Sequence, residues 1–407
     1  MEKRDIAVVG GGLAGTAMAI ALAQSGFDTI LIAPSGKPDT RTTALIGSSM
    51  AFLERIGLES AVGEKSEPLA VMRLIDDTGR LFRAPNVEFR ATEIDLPAFG
   101  YNIMNRDLAE ILDKAAEDER NLERRDASAV GFEADRDGAT VRLSDGSAIG
   151  VGLVIAADGR KSAMREAAGI KTRSWRYPQT ALVLNISHAV PHNSVSTEFH
   201  TRTGPFTQVP MPGKNSAIVW VEKPDLAELY VDLKPEKLER VIEEKMHSIL
   251  GKVTIESEIS AFPLSSATVD RLTDERLALV GEAAHVFPPI GAQGLNLGLR
   301  DCSVLLDCLE ESRDDPGRRS TLLRFEARRR GDVSSRTAGV DALNRSLLTD
   351  FLPIQVGRSA GLTAMAASSP LRRFAMREGV SPGAGFFGLP RPLKEWARRQ
   401  QSFGDEI

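Results

Sequence analysis

Close to the start of the chain an apolar run at 6–9 leads into a glycine-rich turn. An Ala- and Leu-rich stretch over 13–24 and a second apolar run at 29–33 follow. Short continuous apolar runs read as strands buried on both faces, and the longer stretch between them reads as a helix. The pattern predicts a β-α-β unit of about thirty residues, the opening of a doubly wound parallel sheet. Helices are predicted over 48–56 and 106–119, and further strands through Val141 and over 151–156. From 177 to 262 the period changes. Alternating runs at 181–186, 195–200 and 216–222, separated by Pro and Gly, predict an antiparallel sheet, interrupted by a helix over 236–250. The run 277–280 returns to a parallel-strand pattern and leads into a helix over 293–311, after which the chain is mostly helical and Arg-rich. The fold class is therefore α/β, a doubly wound Rossmann-like domain with an inserted antiparallel-sheet domain and a helical C-terminus. Residues 1–75, 97–175 and 275–345 are assigned to the first domain, 76–96 and 176–274 to the inserted one, and 346–407 to the C-terminal helical region. No internal repeat or low-complexity tract interrupts the pattern.

Composition adds limits. The 407 residues, 42% hydrophobic and 26% charged, suit an ordinary globular protein with ample core. A net charge of -5 offers no electrostatic footprint for nucleic acid, so no nucleic-acid partner is expected. Cys302 and Cys308 fall six residues apart in one predicted helix and cannot bridge, so they read as packing residues of a reduced, intracellular protein. Lys3 and Arg4 before an apolar run mimic a secretory signal, but Gly10, Gly11, Gly12 and Gly15 interrupt it. No uncharged apolar stretch elsewhere reaches membrane-spanning length. The expectation is a cytoplasmic protein, at most peripheral to the inner membrane. The five histidines are scattered and pair with no cysteine, so no metal site is expected.

The candidate chemistry lies in three separated segments. The first, Gly10 to Gly15, is a G-x-G-x-x-G turn between strand and helix. Gly10 permits the turn, Gly12 lets the backbone approach a pyrophosphate, and Gly15 lets helix and strand pack closely. The phosphates then meet the helix start at Leu13 and Ala14. The acid that usually ends the second strand and holds the adenosine ribose is absent, since Ile32, Ala33, Pro34 and Ser35 stand there. In the second segment Asp158 and Gly159 end a buried strand, with Ser162 and Arg165 on one face of the helix that follows. The third runs from Gly281, Glu282 and His285 through Pro288, Pro289, Gly291 and Gly294 to Leu295, Asn296 and Asp301. His285 reads as a packed scaffold residue rather than a general base.

In this order the three segments resemble the FAD-dependent hydroxylases of ubiquinone biosynthesis, relatives of the para-hydroxybenzoate hydroxylase fold. The resemblance covers most of the chain and is most specific from Gly281 to Asp301. It implies that Arg41 and Arg106 approach FAD and that Asp158 lies near its pyrophosphate. Glu282, where the family usually has Asp, takes the carboxylate place at the ribityl chain. Pro288 and Pro289 line the flavin face, while Gly291 and Gly294 keep side chains off the ring. The next helix then points its N-terminus at flavin N1 and C2=O, where the reduced ring is anionic. Arg329, Arg330 and Asp332 also fit the family. The implied reaction uses NAD(P)H and O2, through a C4a-hydroperoxyflavin, to hydroxylate the aromatic ring of a polyprenylphenol. No catalytic side chain is assigned beyond the flavin's own chemistry. The implied partners are a lipid-like aromatic substrate and, peripherally, a membrane surface or a biosynthetic complex. The stretch 358–377 either faces such a partner or packs on the core, and packing is preferred. The rival readings are a hydroxylase or epoxidase of another aromatic or alkene substrate, and a weakly catalytic flavoprotein member of an assembly.

Overall fold

A computed structural model describes residues 2–36, 39–80, 83–288, 293–348, 352–381, 384–390 and 393–394. Among the described residues the strands build an eight-stranded, a nine-stranded and a three-stranded sheet. At the centre of the first sheet Glu2–Val9 lies parallel to Thr29–Ile32 on one side and to Ala148–Ala156 on the other. Leu122–Arg125 and Leu277–Leu279 extend it, also in parallel. Ile6, Val8, Val154 and Ile155 are wholly buried, which is why these runs are apolar on both faces. The helix Leu13–Gln24 has the predicted bounds and is buried from Gly15 to Ala23. It needs no polar face because the sheet covers one side, and the helices Asn105–Asp118 and Gln293–Glu310 pack on it as well.

The nine-stranded sheet is antiparallel where the alternation predicted it. Thr172–His188 pairs with Asn215–Glu222 and Ser260–Val269, and Pro205–Met211 with Val195–His200. One junction differs. Val195–His200 lies parallel to Val71–Asp76, a partner that comes from far earlier in the chain and so owes nothing to a hairpin. Sheet membership accordingly does not follow the segment limits at 76 and 176 residue for residue, since Val71–Asp76 and Thr172 onward already belong to this sheet.

Two helices cover one face of it. Pro235–Lys245 is shorter than the predicted 236–250, because His247 and Ser248 take left-handed φ of 50° and 55° and turn the chain away. Pro224–Val231, with Pro at its first turn, was not legible as a helix. Leu182, Leu184, Ile186, Phe206, Ile218 and Trp220 of the sheet pack against Leu238, Ile242 and Met246.

The alternate residues point the other way, toward the doubly wound domain. Thr207, Val219 and Val183 are direct cross-strand partners, and all three are only half-buried. On the same face Asn185 Nδ2 donates to the Thr40 carbonyl at 3.3 Å. A row of small apolar and hydroxyl side chains thus lines the space between the two domains.

The C-terminal helices are Arg319–Leu348, Leu352–Ala367, Ser369–Val380 and Ala384–Phe387. Leu362 packs on Ala84 and Val87, Met376 and Val380 join the main core, and Arg372 pairs with Glu93 at 2.7 Å. The basic, apolar stretch is therefore docked on the body of the protein, with Leu371 left exposed.

Candidate cofactor and substrate site

The glycine turn has the stereochemistry its sequence requires. Gly10 has φ +113°, and a Cβ there would stand 2.3 Å from the Ala157 carbonyl oxygen. A Cβ on Gly15 would stand 2.0 Å from the Gly10 oxygen, so helix and strand touch through bare backbone. Gly12 is different: a methyl group added there meets nothing within 4 Å. Gly12 is also the residue at which Leu13–Gln24 begins, and no side chain caps that helix. The amides of Leu13, Ala14 and Gly15 lack intrahelical acceptors by their position, so an uncapped, positively polarised helix start faces open space.

Asp158 comes to the same edge from the end of Ala148–Ala156. Its Oδ2 accepts from Met164 N at 3.3 Å, whereas its Oδ1 is buried without a partner. Buried carboxylate oxygens are ordinarily hydrogen-bonded, so Oδ1 is left to accept from a ligand or an ordered water. Ser162 caps the next short helix, accepting from Arg165 N at 3.0 Å. Arg165 then binds the second segment to the third, donating to the carbonyls of Ala283 and Arg160, both at 2.8 Å. Glu282 pairs with Arg160 at 3.1 Å, and both side chains are about half exposed. Arg160 carried no role in the sequence, since its partner lies over a hundred residues away.

Arg41 is held by Asp39, with Nε to Oδ1 at 2.9 Å and Nη2 to Oδ2 at 2.6 Å. Burial would raise the Asp39 carboxyl, but hydrogen bonds from Arg41 and Asn105 outweigh it and hold it at about 2. The guanidinium carbon lies 5.4 Å from the centre of the Phe262 ring, so this arginine bridges the first domain to the sheet. Arg106 stands exposed in the first turn of its helix, 3.4 Å from Asp107.

The third segment is pinned from below. Asp301 Oδ2 accepts from Gly281 N at 3.0 Å and lies 2.7 Å from His285 Nε2, while its Oδ1 accepts from Arg329 Nε at 2.7 Å. Burial alone would raise the Asp301 carboxyl, but His285, Arg329 and the Gly281 amide hold it below the ordinary carboxylate range. Arg329 also meets Asp332, which gathers Arg300 and Arg336, and Arg336 donates to Gln293 at the start of Gln293–Glu310. Asp301 and Arg329 were legible only as motif letters, without their mutual contact. Asn296 accepts from Ile46 N and Ser49 Oγ and donates to the Ala44 carbonyl. What the structure shows of its side chain is therefore a clasp between helix and strand. Leu295 is half-buried, Pro288 is buried, and a methyl on Gly294 would meet nothing within 4 Å. Pro289 and Gly291 lie outside the described residues.

The residues thus fit a dinucleotide cofactor on two counts, the orphaned Asp158 oxygen and the open space above Gly12. Among the described residues no group of three His, Cys, Asp or Glu is arranged to hold a metal ion. No described helix is long and apolar enough to cross a membrane.

Comparison with known proteins agrees with this geometry. The profile of the FAD binding domain family matches residues 3–337. Ubiquinone hydroxylase UbiL of Rhodospirillum rubrum is 34% identical over 387 residues, covering 92% of this chain and 89% of that protein. The 3-demethoxyubiquinol 3-hydroxylase of Escherichia coli is 30% identical over 390 residues, covering 92% and 98%. Among solved structures, p-nitrophenol 4-monooxygenase PnpA of Pseudomonas putida superposes with a TM-score of 0.77 at 18% identity, covering 93% of this chain and 99% of that one.

Proposed function

The chain belongs to the FAD binding domain family and, within it, to the FAD hydroxylases of ubiquinone biosynthesis, and from that premise we propose that it hydroxylates the aromatic ring of a polyprenylphenol. The observation that carries the proposal is similarity to ubiquinone hydroxylases over 92% of the chain, together with the row Thr207, Val219 and Val183 on the sheet face that meets Thr40 and Arg41. FAD would supply the redox chemistry of this reaction, with NAD(P)H as the hydride donor and O2 as the source of the ring oxygen and of one water.

The protein's own part is to bind, orient and exclude water. The helix start at Leu13, Ala14 and Gly15 would hold the pyrophosphate, with Gly10 and Gly12 giving it room. Asp158 Oδ1 would accept from a cofactor hydroxyl, and Arg41 and Arg106 would offset phosphate charge. Gly281 and Glu282 would border the ribityl chain, and Pro288, Gly294, Leu295 and Asn296 would border the ring. The half-buried row on the opposite sheet gives a phenol ring an apolar wall, and the excluded water strengthens every charge interaction in the cleft. A prenylated substrate resides in the bilayer, so the enzyme is expected to work peripherally at the inner membrane.

Lipid mass spectrometry of a deletion strain tests the reading. An under-hydroxylated prenylphenol should accumulate and ubiquinone should fall. Normal quinone levels in a strain with no second hydroxylase would sink it.

A further inference from the structure

The adenosine end of the site lacks the acid that a second strand of this type normally supplies. The residue in that place, Ala33, is buried, and its Cβ lies 2.6 Å from where a Cβ on Gly11 would stand. Its amide donates to the Arg125 carbonyl at 3.1 Å, which continues the parallel register of Thr29–Ile32 with Leu122–Arg125 by one more residue. The next residue of that neighbouring strand is Asp126. It stands at the carboxyl edge of the sheet, where open α/β sheets bind their ligands. Its orientation is fixed: Oδ1 accepts from Ser35 N at 3.0 Å and Oδ2 accepts from Ser35 Oγ at 2.9 Å.

We propose that Asp126 is the carboxylate that receives the adenosine ribose hydroxyls of FAD, replacing from the adjacent strand the acid missing at Ala33. A carboxylate has about four acceptor positions, and Ser35 takes two of them, which leaves one on each oxygen for a vicinal diol. The Ser35 hydroxyl and amide favour the ionised form of Asp126 and lower its pKa. Arg124 lies on the same edge, with Nη2 3.9 Å from the Cβ position of Gly11, and pairs with Asp113 at 2.7 Å. Asp126 and the glycine turn therefore flank one stretch of the sheet edge, as a ribose and its pyrophosphate require. This assignment rests on the FAD reading of the site.

The test is titration of apoprotein with FAD and, separately, with FMN, which lacks the adenosine half, followed by flavin fluorescence. Asp126→Asn and Asp126→Ala should each weaken FAD binding by about tenfold, the loss expected for a charge-assisted hydrogen bond at a wet site. FMN affinity should stay within twofold of wild type in both variants (about the reproducibility of such titrations, well under one decade). Adding Ala33→Glu to Asp126→Ala should restore most of the lost FAD affinity, since it returns a carboxylate to the same diol. FAD affinity unchanged in both single variants, or FMN weakened as much as FAD, overturns the assignment. Wild-type apoprotein that binds no FAD overturns the cofactor reading itself, and this inference with it.

Discussion

His285 Nε2 and Asp301 Oδ2 lie 2.7 Å apart in the interior, each side chain only 1% exposed. The pair holds the strand end that carries Gly281 and Glu282 against the helix Gln293–Glu310. Arg329, equally buried, completes it from a third element. A buried carboxylate of this kind is costly to leave uncompensated, so the cluster is a structural foundation of the cofactor edge.

Arg329→Met removes the cation while keeping much of the volume, and leaves buried Asp301 with His285 and the Gly281 amide as its remaining partners. Loss of one member of a buried pair costs about 3–5 kcal/mol. Denaturant unfolding of the variant should show that loss as a lower midpoint. A change below about 1 kcal/mol would mean that His285 alone suffices for Asp301.

Acid should act through the same cluster and through the separate Asp39–Arg41 pair. Asp301, Asp332 and Asp39 all have carboxyls held lower in the folded protein than in a free chain. Stability from such groups is complete above the ordinary carboxylate range, near about pH 4, and is lost as the pH falls through their folded values. Unfolding free energy should therefore be flat at mildly acidic pH and drop steeply below about pH 4. Arg329→Met should flatten that drop, because it removes one cause of the lowered Asp301 value.

Gly12 and Gly15 separate fold from function within a single turn. Gly12→Ala places a methyl group in open space and should cost the apoprotein no more than about 1 kcal/mol, yet weaken FAD binding at least about tenfold by crowding the pyrophosphate. Gly15→Ala drives a methyl group into the Gly10 carbonyl and should destabilise the apoprotein by about 3 kcal/mol. Thermal melts of apoprotein alongside FAD titration measure both. Equal melting losses in the two variants would contradict the geometry.

These contrasts also show what could be read along the chain. The G-x-G-x-x-G turn and the helix Leu13–Gln24 were visible because their causes lie within a few residues of one another. Arg329 with Asp301, Arg165 with the Ala283 carbonyl, and Ser35 with Asp126 were not, because nothing local fixes which distant segment a side chain will meet. The parallel junction of Val195–His200 with Val71–Asp76 was hidden for the same reason. Pro224–Val231 was missed because two short turns of helix between strands show too little periodicity to separate from a loop.

Val219 lies at the middle of the half-buried row, paired across the strands with both Thr207 and Val183. Val219→Lys puts a charge on the proposed ring wall. It should lower kcat/KM for a prenylphenol by about a hundredfold or more, given the cost of desolvating an unpaired ammonium, while FAD affinity stays at the wild-type value. NAD(P)H oxidation stimulated by the lipid, measured beside FAD titration, gives both readings. Undiminished stimulation would move the substrate off this face.

Val87–Arg90 is the last strand on its side of the nine-stranded sheet, and Leu362 lies against Val87 while Arg372 reaches Glu93 just beyond it. An uncovered terminal strand carries a row of unmet amides and carbonyls that can recruit another chain. The helices 352–380 pack on the face of this terminal strand pair and tie it to the body of the enzyme. Removing these helices would uncover Leu74, Val87 and Phe89 together, an apolar patch beside an edge strand to which another chain could add.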